Sequence, residues 1–379
     1  MLKRALFLAA LLAAPSAHAA PAGTVFLAGG HVMDQDADLW KAFIGRASSP
    51  TIAVFGSARE SLKVARGAYE QDTPGIWCYQ HVLKHYGAKP RFVPIAIDNY
   101  RQAAHDPANL KLVEQAGGVW FGGGAQDLHA RCLLEDDGRD TPLMSAVRKV
   151  YQRGGVVGGT SAGAAVMDKL TYGDGESADY LLANRLVKRP LTAFGKADTA
   201  MGDGKTGGYT TGFGFTSGID AAVDTHVDAR GRYGRVLVAM GQLDYHFGIA
   251  LAENTALAVQ GQRGVAFGAG SVVVFDGRQA EIAKAGRFTA RDVGASVLRA
   301  HDAYDFTTGE ATLGRRPSPG PLPTAPANLL NRDALPRVIE AFQASGAREL
   351  RCPAPAAKLV FTLRRGYTTL LDVTPLEAP

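Results

Sequence analysis

The chain has 379 residues, 46% hydrophobic and 20% charged, a globular balance that excludes a disordered or low-complexity protein. Its net charge of +5 includes Lys3 and Arg4, and no block of five like charges occurs, so neither nucleic acid nor a membrane surface is indicated as a partner. Cys78, Cys132 and Cys352 lie far apart with no CxxC or Cys/His cluster, which argues against a metal site.

Residues 1–19 read as a signal peptide. Lys3 and Arg4 precede an apolar run from Ala5 to Ala14, and Ala17-His18-Ala19 is a small-x-small cleavage pattern. The run is shorter than the roughly 20 residues of a membrane span. The mature chain is therefore expected in a periplasm or outside the cell, without a membrane association once the leader is removed. An oxidising compartment permits one disulfide, expected as Cys78–Cys132, with Cys352 left over.

Apolar runs then alternate with helix-like segments. Strands are expected at Thr24–Ala28, Thr51–Phe55, Arg91–Ile97, Gly118–Phe121 and Val156–Gly158. Most are apolar on both alternating sets, as strands covered on both faces should be. Helices are expected at Ala58–Tyr69, His81–Tyr86, Leu110–Ala116 and Leu143–Arg153, giving a doubly wound, mostly parallel α/β sheet. Gly29-Gly30, Gly56-Ser57, Gly122-Gly123-Gly124 and Gly158-Gly159 stand at strand ends, the edge where such sheets bind ligands. Residues 171–220 break the rhythm, with an irregular excursion over Phe194–Phe213. Antiparallel strands follow within Ile249–Asp276, clearest at Leu257–Val259 and Ser271–Phe275. A catalytic domain over 20–298 is expected. Residues 299–379 are left as a proline-rich linker and C-terminal appendage, with a helix at Arg332–Ser345 and a β-like stretch at Lys358–Leu363.

The chemistry gathers at two segments. Gly159, Ser161 and Gly163 form G-x-S-x-G between a strand and an Ala-rich helical stretch, the setting of a nucleophile elbow. The competing reading is a packing turn of small residues. The base expected for Ser161 is His226, which follows the apolar-leaning Ile219–Val223 and carries an imidazole suited to accept a hydroxyl proton near neutral pH. A surface histidine in a polar loop is the alternative. If the pair is real, the hydroxyl should lie about 3 to 4 Å from a ring nitrogen.

Gly158–Ala164 matches the Gly-Gly-Thr-Ser-Ala-Gly-Ala pattern of the cyanophycinase and dipeptidase E family, whose fold is of the class I glutamine amidotransferase, flavodoxin-like kind. The family's Asp-Gln-His, Arg-Gly-Arg and later Arg are matched at Asp224, His226, Arg230, Gly231, Arg232 and Arg235. Phe121–Gln126 looks like its Gly-Gly-Asp-Gln turn, and the resemblance covers about residues 23–280. It implies a serine-type exopeptidase with no cofactor that releases β-aspartyl-arginine dipeptides from cyanophycin, a poly-aspartate bearing arginine on each β-carboxyl. A homodimer is compatible with it. It also implies a carboxylate behind His226, expected to be Glu176, with Asp174, Asp179 and Glu253 as competitors. Amides of Ala162 and of Gly123 or Gly124 would form the oxyanion hole, and Gln126, Asp224, Thr225, Arg230, Arg232 and Arg235 would meet substrate. Thr225 stands where the family has glutamine, and Ala125 replaces the acid before Gln126. These departures keep open an exported aspartyl dipeptidase, or a peptidase acting on another acidic peptide. A non-catalytic binding protein on the same fold is the third reading.

Overall fold

The computed structural model describes residues 23–173, 175–194, 207–314, 321 and 324–376; the leader over 1–19 lies outside them. Five parallel strands form the frame: β1 (Thr24–Ala28), β2 (Thr51–Phe55), β3 (Lys89–Val93), β4 (Gly118–Phe121) and β5 (Val156–Thr160), side by side in the order β1-β5-β4-β2-β3. The strand Thr255–Gln260 pairs antiparallel with β1, and Arg263–Gly268, Ala303–Asp305 and Glu310–Thr312 continue that side.

Side chains alternate across each strand, so each feeds two cores. Val25, Leu27, Val119, Phe121 and Val157 face one core, while Phe26, Trp120 and Val156 face the other. Helices cover both faces. Pro142–Gln152 contributes Leu143, Met144, Val147 and Val150 to the first core, and Ala37–Ile44 contributes Leu39, Trp40 and Phe43 to the second. Both of these helices start at a capping side chain. The Thr141 hydroxyl accepts from the Met144 amide ahead of Pro142, and the Asp36 carboxylate accepts from the Leu39 amide.

A second sheet packs one face against the first core. Its order is Glu349–Ala354, Leu359–Arg365, Thr369–Pro375, Ala290–Leu298, Val272–Asp276, Phe247–Leu251 and Ala221–Thr225, the last two parallel. Val223, Ile249 and Val274 point into the shared core, whereas Ala222, Ala250 and Val273 point into a third core covered by the helices Tyr233–Leu243 and Ala334–Ser345. The C-terminal strands thus complete both sheets, and the boundary expected at 298 falls between paired strands, because Ala290–Leu298 is laddered to Thr369–Pro375.

Other departures have local causes. The third strand was expected at Arg91–Ile97 but runs Lys89–Val93, since Pro94 has no N–H to extend the ladder and Pro90 is tolerated on an edge strand. Within the excursion expected to be irregular over Phe194–Phe213, Gly207–Thr211 is a strand, in a small sheet with Leu170–Gly173 and Leu186–Lys188; residues 195–206 lie outside the described ones. The disulfide is absent: Cys78, Cys132 and Cys352 are each buried and free.

Candidate active site

Strand β5 ends in the turn that carries Ser161. Its backbone is held at φ 54°, ψ −117°, a conformation costing a non-glycine residue about 1–3 kcal/mol, and its amide donates to the Ala28 carbonyl at 3.0 Å. Gly159 and Gly163 flank it because a Cβ at either would lie 2.2 Å from the Phe121 carbonyl oxygen. The Ser161 carbonyl accepts from the Ala164 and Ala165 amides, so a short helix, Ala162–Ala165, starts immediately behind. The side chain is half-buried and lines a cavity of about 470 Å³.

The strand Ala221–Thr225 delivers His226, also in the left-handed region at φ 56°. Ser161 Oγ and His226 Nε2 are 2.7 Å apart, and His226 Nδ1 and Glu253 Oε1 are 2.6 Å apart. With the carboxylate accepting at Nδ1–H, Nε2 is left bare to accept the serine proton. Glu253 sits where the chain passes from Phe247–Leu251 in one sheet to Thr255–Gln260 in the other. The end of β1 ties the three together: the His226 amide donates to Gly29 O at 2.8 Å, Gly29 donates to Thr255 O at 2.8 Å, and Asn254 donates to Gly30 O at 2.9 Å. A Cβ on Gly30, whose φ is +106°, would lie 2.2 Å from His226 Cε1. The imidazole therefore packs directly on glycine backbone. Burial pushes its pKa below the usual histidine value; Glu253 opposes this, and the nearby Arg230 and Arg232 reinforce it.

Glu253 thus takes the place expected for Glu176. Glu176 is exposed and serves as N-cap of the helix Ser177–Ala183, in a capping box with Asp179, so local backbone geometry occupies both acids. Asp174 lies outside the described residues. Glu253 was hard to single out, because it is a lone acid between two apolar runs and its partner is 27 residues away in sequence.

The remaining expected residues divide by burial. Asp224 and Arg235 form a buried ion pair, Nε to Oδ2 at 2.9 Å, and Arg235 also donates to Gly175 O at 3.2 Å and lies over the Tyr180 ring. They saturate one another behind the site and are not free to meet substrate. Thr225 is buried as well. Arg232 is half-buried and, among the described residues, is in no ion pair and donates only a long 3.4 Å bond to Thr225 O; Arg230 is exposed. Both can receive an anion. Gln126 caps the Tyr172 carbonyl through Nε2 at 2.9 Å. Gly123 adjoins the Ser161 side chain and donates its amide to Tyr79 Oη at 3.2 Å, whereas Gly124 is packed on Ala58. Among the described residues no cluster of metal-binding side chains occurs.

Comparison with known proteins gives a consistent answer. No family model matches. The cyanophycinase of Geminocystis herdmanii is 29% identical over 244 residues, covering 62% of this chain and 79% of that protein. The cyanophycinase of Synechococcus elongatus is 28% identical over 202 residues, so the match spans about half the length of each chain, 53% of both. A crystal structure of a peptidase from an acI-B1 actinobacterium shares the fold, with TM-score 0.53 and 18% identity, over 76% of this chain and 98% of that one. In sequence motif and curated relatives alike, the chain is similar to the cyanophycinases, and its fold is that of a solved peptidase.

Proposed function

We propose that this protein is an exported serine-type peptidase that hydrolyses cyanophycin to β-aspartyl-arginine dipeptides. The observation that carries the reading is the continuous Ser161–His226–Glu253 relay beside an open cavity, with separations of 2.7 and 2.6 Å. Ser161 Oγ attacks the scissile carbonyl carbon as His226 Nε2 takes its proton, forming a C–O bond and an oxyanion. The Ala162 amide, joined by the Gly123 amide once it exchanges Tyr79 Oη for the substrate oxygen, holds that oxyanion. His226 returns the proton to the leaving nitrogen as the C–N bond breaks. Water then attacks the acyl-enzyme with His226 again accepting a proton, and Ser161 is released. Glu253 keeps Nδ1–H oriented and stabilises the imidazolium without taking its proton. Arg232 and Arg230 supply cations for substrate carboxylates. The leader-like residues 1–19 support export, which suits a polymer granule too large to be taken up whole.

A second reading, a peptidase acting on short aspartyl or other acidic peptides, is favoured by Thr225 and by the locking of Asp224 onto Arg235, which leave less of the family's substrate edge available. Insoluble cyanophycin incubated with purified protein distinguishes the two. Clearing with release of β-aspartyl-arginine, abolished in Ser161→Ala by at least about 10³-fold, is the expected result. Cleavage confined to short Asp-X peptides transfers the assignment to the second reading, and no hydrolysis of either substrate removes both.

A further inference from the structure

The cavity at Ser161 holds two charged groups that the relay does not use. Asp34 lies in the loop after β1 and Arg59 follows β2; both line this cavity, together with Trp40, Trp77 and Tyr79. Asp34 is only 8% exposed, its Oδ2 accepts the Trp77 amide at 2.6 Å, and it is in no ion pair among the described residues. A carboxylate so far withdrawn from water, with one backbone hydrogen bond, is poorly compensated until a cation reaches it. Arg59, half-buried on the same cavity, is likewise in no ion pair among the described residues. It lacks an anion as Asp34 lacks a cation.

The position of Asp34 is fixed by its surroundings. The Tyr86 hydroxyl donates to the Asp34 carbonyl at 2.9 Å. The neighbouring Met33 donates its amide to Asn254 Oδ1 at 2.9 Å, and its carbonyl accepts from Trp40 Nε1 at 3.1 Å. Asn254 is next to Glu253, so the loop bearing Asp34 is attached to the segment that bears the relay carboxylate. Aromatic rings on the cavity wall favour a flat, weakly hydrated guanidinium over a compact ammonium.

We propose that Asp34 and Arg59 form a subsite for a substrate branch carrying both a guanidinium and a carboxylate, Asp34 receiving the first and Arg59 the second. The inference rests on the proposed function and sharpens it. An arginine joined through its α-nitrogen to an aspartyl β-carboxyl keeps both its guanidinium and its α-carboxylate free, and so offers both charges at once. A short acidic peptide without a basic residue leaves Asp34 unmatched.

The test reads binding rather than turnover, using Ser161→Ala protein and calorimetric titration with three ligands: β-aspartyl-arginine, its citrulline analogue, which is neutral and nearly isosteric, and its C-terminal amide. Arginine should be preferred over citrulline by about tenfold or more, as should the free acid over the amide, since each neutral analogue forfeits a charge-assisted hydrogen bond. Adding Asp34→Asn, which keeps an acceptor for the Trp77 amide, should erase the first preference and spare the second. Adding Arg59→Gln should do the reverse. Equal binding of arginine and citrulline ligands by the Ser161→Ala protein overturns the proposal without any further variant, as does failure to bind β-aspartyl-arginine at all. Hydrolysis by the unaltered protein is scored separately, so a failed subsite and a failed peptidase reading give different results.

Discussion

An imidazole can take a hydroxyl proton only while it is neutral. Burial, Arg230 and Arg232 all lower the pKa of His226, against the upward influence of Glu253. Activity governed by this group should therefore be lost as pH falls through a value below the ordinary histidine pKa of about 6.5, and should be flat above it. A kcat/KM profile checks this. Arg232→Gln removes one of the depressing charges, so its inflection should move toward higher pH while KM for an anionic substrate rises. Glu253→Gln removes the opposing influence and should move the inflection lower. It should also cut kcat by about 10⁴-fold, the order found when the orienting acid of such a relay is neutralised. Glu176→Gln, altering an exposed cap, should leave kcat within about twofold, because substitutions away from buried networks usually change little.

At the scale of elements, the site depends on short loops pinned to the end of β1. Gly30→Ala places a Cβ only 2.2 Å from His226 Cε1, in a backbone conformation unfavourable to alanine. The ring must shift, and a displacement near 1 Å costs about 10²-fold in rate, so steady-state kinetics on a folded Gly30→Ala protein should show a loss of at least that size. Removing residues 299–379 strips Thr369–Pro375 from Ala290–Leu298 and exposes a long sheet edge. It also removes the Leu330 carbonyl, whose oxygen packs so close to Gly231 that a Cβ there would lie 2.1 Å from it. The truncated chain should aggregate and lose its cooperative thermal transition, measured by light scattering and calorimetry.

In the whole molecule, the sequence exposes the parallel frame more readily than what closes around it. Strands such as Thr24–Ala28 and Thr51–Phe55 are apolar on both faces because both faces are buried, so their bounds coincide with expectation. The second sheet is less visible, since Ala290–Leu298 finds one of its two main partners more than seventy residues later. Ser161 and His226 could be proposed from local motifs. Glu253 could not be separated from Glu176, because proximity along the chain favoured the acid near the serine, whereas the fold brings the distant one to the imidazole. The family resemblance likewise marked Asp224 and Arg235 as ligand-facing, while burial makes them partners of one another. The cysteines carry a comparable correction. With Cys78, Cys132 and Cys352 free, a thiol-reactive reagent should titrate three groups per unfolded chain, and a reductant should leave the melting temperature unchanged.

The central claim, that Ser161 is activated by His226 through Glu253, is tested most directly by covalent labelling with a serine-directed fluorophosphonate, followed by peptide mass mapping. The account predicts a single adduct on Ser161, formed at least about 10²-fold more slowly in Glu253→Gln and at an unchanged rate in Glu176→Gln. No adduct on Ser161, or equal labelling rates with and without the Glu253 carboxylate, would contradict it.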